Sequence, residues 1–85
     1  MMTKQEQLNS ILEVLKELSE DSTVPKNVKA KVLEVIEILK SSEELSLKIS
    51  KALQELEEIS DDNNLQSFTR TQIWNITSML EKINS

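Results

Sequence analysis

At 85 residues with a formal charge of −5, the chain is long enough for one core and too acidic for general affinity toward nucleic acid or anionic lipid, both of which need a basic face. It has no cysteine, histidine or glycine. Disulfides, thiolate and imidazole chemistry and glycine-built phosphate loops are therefore excluded, and neither a cofactor nor a metal is expected.

Leu8, Ile11, Leu12, Leu15 and Leu18 recur at helical spacing and predict a first amphipathic helix from about Lys4 to Ser19. After a polar break, a second helix is expected to open near Thr23 or Val24. The Thr23 hydroxyl would cap it, and Pro25 would sit in its first turn, where a missing N–H costs nothing. Its apolar stripe is Val28, Val32, Val35, Ile36 and Leu39. Ser41 and Glu44 have the spacing of a capping box for a third helix, with a bent but continuous second and third helix as the alternative. The third stripe, Leu45, Ile49, Ala52, Leu53, Leu56 and Ile59, runs to about Ser60. The polar stop from Asp61 to Asn64 follows, with Asn64 expected to cap a fourth helix whose stripe is Phe68, Ile73, Ile76, Met79, Leu80 and Ile83.

The chain also repeats itself. Shifted by 41 positions, residues 11–39 lie over residues 52–80, and Leu12, Leu15, Glu17, Ser19, Asp21 and Leu39 meet identical residues. Apolar positions match as well: Val24 with Leu65, Val32 with Ile73, Leu33 with Trp74. The polar breaks coincide. This predicts one domain over residues 1–85 made of two tandem helical hairpins, at about 4–40 and 43–84. The fold class is all-α, an up-and-down four-helix bundle. Net charge alternates along the four segments, −3 over residues 1–21, +2 over 22–41, −5 over 42–62 and +1 over 63–85, so neighbouring helices of a square bundle attract. A lesser possibility is a HEAT-like scaffold of two repeats, although two are usually too few to bury a solenoid core.

The run from Glu20 to Lys29, with its acidic-Ser/Thr-Val-Pro-basic-Asn-Val turn, and the segment from Phe68 to Ile76, with Arg-Thr-x-Ile-Trp, resemble a small archaeal family known as uncharacterised protein family 0147. The resemblance spans nearly the whole chain. It implies an archaeal cytoplasmic protein with a four-helix fold and no assigned activity. Where family members tend to carry proline in the second turn, this chain has Gln66.

No constellation of residues points to catalysis. Asp61-Asp62-Asn63-Asn64 suggests calcium, but the sixth position counted from Asp61 is Gln66 and the twelfth Gln72, where an EF-hand loop needs glycine and glutamate. A solvated loop is the simpler reading. Glu43-Glu44 and Glu57-Glu58 are sequence neighbours and diverge on a helix, so neither forms a catalytic pair. Lys26, Lys29, Lys31 and Arg70 read as a charged rim rather than a nucleic-acid site.

Trp74 stands out. At about 100° per residue it falls nearly opposite the stripe of the fourth helix, and Leu33 and Leu47 lie off the stripes of the second and third. A tryptophan carries about 150–250 Å² of mostly apolar surface, so an exposed one is an interface signature, reinforced by Arg70 one turn away. Trp74, Arg70, Leu33 and Leu47 are thus the candidate interface. The expected function is a non-catalytic interaction module, partnered by a second copy in a homo-oligomer such as a dimer, or by another protein. The alternative is a small-ligand carrier using the bundle interior, with Asn75 near the edge of the buried face. No apolar run exceeds two residues, so neither a membrane span nor a signal peptide is expected, and the location expected is cytoplasmic.

Overall fold

The computed structural model describes residues 2–84 and contains four helices: α1 (Lys4–Glu20), α2 (Lys26–Lys40), α3 (Leu45–Ser60) and α4 (Ser67–Asn84). Each packs on its sequence neighbours and α1 also packs on α4, while among the described residues the backbones of diagonal helices stay apart. The arrangement is the expected up-and-down four-helix bundle. Closure of α1 on α4 folds the two hairpins onto one another instead of leaving them stacked as an open solenoid.

The apolar stripes cause this closure. Ile11, Leu15, Val28, Val32, Val35, Ile49, Ala52, Leu56, Ile73, Ile76 and Leu80 are all buried in one continuous core. Burying each large aliphatic side chain contributes about 1.5–3 kcal/mol, which is what makes so short a chain foldable. Half-buried Leu12, Ile36, Leu45, Leu53 and Met79 pack around this core. Lys31 pairs with Glu58 at 3.0 Å between α2 and α3, a partly exposed contact consistent with the alternating charge.

The 41-residue repeat is present in the fold as well as in the sequence. The carboxylate of Asp21 accepts the Thr23 N–H at 2.8 Å, and that of Asp62 accepts the Asn64 N–H at the same distance. The Lys29 N–H donates to the Pro25 carbonyl and the Arg70 N–H to the Gln66 carbonyl, both at 3.0 Å. Each hairpin thus turns through the same Asp-based motif before its second helix.

That motif corrects two of the expected caps. Thr23 does not cap α2: its hydroxyl donates to Asp21 at 2.7 Å, and the helix starts after Pro25, whose ψ of 149° keeps it outside. Asn64 does not cap α4, which begins at Ser67. In both turns the aspartate instead holds the backbone N–H of the expected cap residue itself. A third correction concerns Ser41 and Glu44. Ser41 ends α2, its hydroxyl donating to the Ile38 carbonyl at 2.8 Å, and Glu44 precedes α3 without a side-chain cap. A true turn therefore separates α2 from α3, and they are not one continuous helix. A capping box does form at the start of α1, where Thr3 and Glu6 each accept the other's backbone N–H.

Phe68 is also corrected: it is 66% exposed rather than part of the core. Leu65 and Thr69 take the buried positions there, as Val24 and Val28 do in the first hairpin. Phe68 lies at the position of exposed Asn27.

Candidate functional site

Because α1/α2 and α3/α4 are opposite sides of a square bundle, each hairpin presents its own outer groove. The groove of the first is lined by Leu12, Ser19, Leu33 and Ile36 together with two lysines, Lys16 and Lys40, and two glutamates, Glu13 and Glu20. The groove of the second is lined by Leu53, Glu57, Ser60, Trp74, Thr77 and Glu81. Shifted by 41, all six residues of the second fall on residues of the first. The two grooves are one feature built twice.

Within that shared frame the central apolar pair is retained, Ile36 gives way to Thr77, and a rim of mixed charge becomes wholly acidic. Leu12 matches Leu53, and Leu33 matches Trp74, the two side chains being 52% and 62% exposed. Lys16 and Lys40, however, are replaced by Glu57 and Glu81. These rim residues were not singled out from sequence, since isolated charges on helix exteriors read as solvated. Only the alignment of the repeats exposes the pattern.

The four candidate interface residues do not form one patch. Trp74 lies in the α3/α4 groove and Leu33 in the α1/α2 groove. Leu47, 47% exposed, points away from the core on α3. Arg70 faces the turn, its guanidinium donating to the carbonyls of Ser60 at 2.9 Å and Asp62 at 3.2 Å. These are carbonyls at the C-terminal end of α3, where a cation is favoured by the unsatisfied acceptors and the helix dipole.

The remaining sequence candidates have structural roles. Asp62 is held by the Asn64 N–H and by the Asn27 amide at 3.0 Å, which together keep its carboxyl below the ordinary carboxylate range. The Thr23 hydroxyl and N–H do the same for Asp21. Among the described residues no group of three or more His, Cys, Asp or Glu side chains could hold a metal ion. Lys31 of the basic rim is engaged by Glu58. Asn75, expected near the buried edge, is exposed. Between α2 and α3, one carboxylate oxygen of Glu55 is shielded from water without a hydrogen-bond donor. Burial, and then the adjoining Glu34 carboxyl, raise the Glu55 pKa against the pull of Lys31.

Fold and surface together define a small all-α bundle with an aliphatic interior and two repeat-related outer grooves. The chain belongs to the uncharacterised protein family UPF0147, whose model matches residues 1–83. A UPF0147 protein of Archaeoglobus fulgidus is 44% identical over 77 residues, covering 91% of this chain and 88% of the relative. One from Methanocaldococcus jannaschii is 40% identical over 82 residues, covering 95% and 88%. The crystal structure of a protein of unknown function, MMP1188, superposes with a TM-score of 0.93 at 37% identity, covering 100% of this chain and 98% of that one. The relatives named here are archaeal, and their names carry no activity. No described helix is long and apolar enough to cross a membrane.

Proposed function

We propose that the protein is a non-catalytic interaction module of the cytoplasm that binds protein through its outer grooves. The observation that carries this reading is Trp74, left 62% exposed in a groove beside Leu53 when eighteen other apolar side chains are buried. A fold that can bury so much leaves its one tryptophan outside only against a tendency of about 25 cal/mol per Å². Exposed aromatic anchors in shallow grooves are where binding energy concentrates. The absence of histidine, cysteine and glycine supports a role without chemistry. The carrier alternative gains no support from the interior, where Thr69 is the one buried polar side chain among the described residues.

The test is Trp74→Ala, followed by melting temperature and by solution mass, alone and with candidate protein partners. The expected result is a stability change within about 0.5 kcal/mol, as for a surface position, together with loss of association. A loss of several kcal/mol would make Trp74 a structural residue and refute the reading.

A further inference from the structure

We infer that the occupant of each groove is the opposite groove of a second copy of this chain, so that copies associate head to tail, α1/α2 of one on α3/α4 of the next. This rests on the interaction reading above and specifies its partner. Three observations carry it.

The first is position. The grooves are repeat-equivalent, so each holds one large exposed apolar side chain at the same place, Leu33 in one and Trp74 in the other, available to meet when two copies come together.

The second is charge. A face-to-face pairing of two α3/α4 grooves would set Glu57 and Glu81 against their own copies, and like charges there disfavour the contact. The α1/α2 groove, where Lys16 and Lys40 stand beside Glu13 and Glu20, is the one of the two that offers cations to that acidic rim. Rim charges of this kind select the partner and its orientation more than they add affinity.

The third is size. The molecule measures 33 × 24 × 20 Å, so a whole side, about 800 Å² in outline at most, has room for a standard interface. Among the described residues none covers either groove, and both central side chains remain more than half exposed.

The geometry has a consequence for stoichiometry. The grooves lie on opposite sides of the bundle, so filling one leaves the other free on the same molecule. A contact between unlike surfaces does not stop at two copies unless its rotation closes a ring. Mass should therefore climb past the dimer as concentration rises.

The experiment uses two full-length variants in analytical ultracentrifugation. Leu33→Glu places a carboxylate in the first groove and Trp74→Glu places one in the second. Both positions are exposed, so each variant is expected to keep the wild-type helical circular dichroism and melting temperature. The wild type should show species larger than a dimer, and each variant alone should associate about thirtyfold more weakly or worse. Mixed in equal amounts, the variants should form a 1:1 dimer and nothing larger. Trp74→Glu retains a sound first groove and Leu33→Glu a sound second one, while the two altered grooves repel.

A wild type that stays monomeric into the millimolar range overturns the head-to-tail inference, and leaves the interaction reading to a different protein. Association lost in Trp74→Glu but intact in Leu33→Glu overturns it too, in favour of like-on-like contact. If Trp74→Glu instead lowers the melting temperature as a core deletion would, the interaction reading itself fails.

Discussion

The two hairpins of this bundle share an interior and differ in their exteriors. Leu15, Leu18, Val28, Val32, Val35 and Leu39 of the first are buried, and so are Leu56, Ile59, Thr69, Ile73, Ile76 and Leu80 at the matching positions of the second. The Asp-based turns share the aspartate-to-backbone bond and the first backbone bond of the helix that follows. On the outside, Lys16 and Lys40 give way to Glu57 and Glu81, and Leu33 gives way to Trp74. What folding requires is held in common by the two halves. The divergence lies where folding imposes little, on the groove rims, where a mixed set of charges becomes wholly acidic.

The largest effect that would break this equivalence is in the core. Leu15→Ala and Leu56→Ala remove matched, fully buried side chains, and each should cost about 2–5 kcal/mol in denaturant unfolding. Markedly unequal losses would show that the hairpins are not energetically alike. Leu33→Ala, on the exterior, should stay within about 0.5 kcal/mol.

A smaller effect separates the turns. Arg70 donates to two carbonyls at the end of α3, whereas no such bond joins its counterpart Lys29 to the end of α1. Arg70→Ala should therefore cost about 1–2 kcal/mol, or roughly 4–16 °C in melting temperature, and Lys29→Ala almost nothing. Equal losses would mean that the guanidinium contacts contribute nothing.

The turn aspartates respond to acid. Both carboxyls have pKa values below the ordinary 3.8, so their contribution is complete above that value and is lost as pH falls through the lowered folded values. The double variant Asp21→Asn, Asp62→Asn keeps an oxygen acceptor in each turn and removes the titration. Its melting temperature should fall less steeply with acid below pH 3.8 than that of the wild type.

The smallest effect is at Glu55. Its pKa is raised, so the charged form is the disfavoured one at neutral pH and the strain is relieved as pH falls through the raised value. Glu55→Gln, which gives the Glu34 carboxylate a donor, should raise the melting temperature by about 2–4 °C at pH 7. The gain should vanish near pH 4. An unchanged melting temperature at pH 7 would mean that Glu55 is not strained.

Much of this was legible in the sequence because helical periodicity is a strong signal. It placed the four stripes, and it put Trp74, Leu33 and Leu47 outside them. Phe68 was misplaced by the same reasoning, because one residue of phase at a helix start turns a side chain by about 100°. The repeat held the corrective, since Phe68 aligns with Asn27. The caps were not legible because each turn holds several short polar side chains, Asp21, Ser22 and Thr23 in one and Asp61 to Asn64 in another, any of which can bond the backbone. Arg70 is four residues from Trp74 and was expected beside it, but its length lets it reach back to the α3 carbonyls. The grooves were hidden for another reason: a groove belongs to two helices, and its rim is recognisable only once both are in place.

The most direct test of the central claim is the emission of Trp74 across a concentration series, with solution mass measured on the same samples. The chain has one tryptophan and no tyrosine, so the signal reports a single site. Emission at long wavelength from the dilute monomer, moving to shorter wavelength as the mass rises, is the result expected of a docking anchor. Short-wavelength emission at a constant monomer mass would place Trp74 inside the bundle and contradict it.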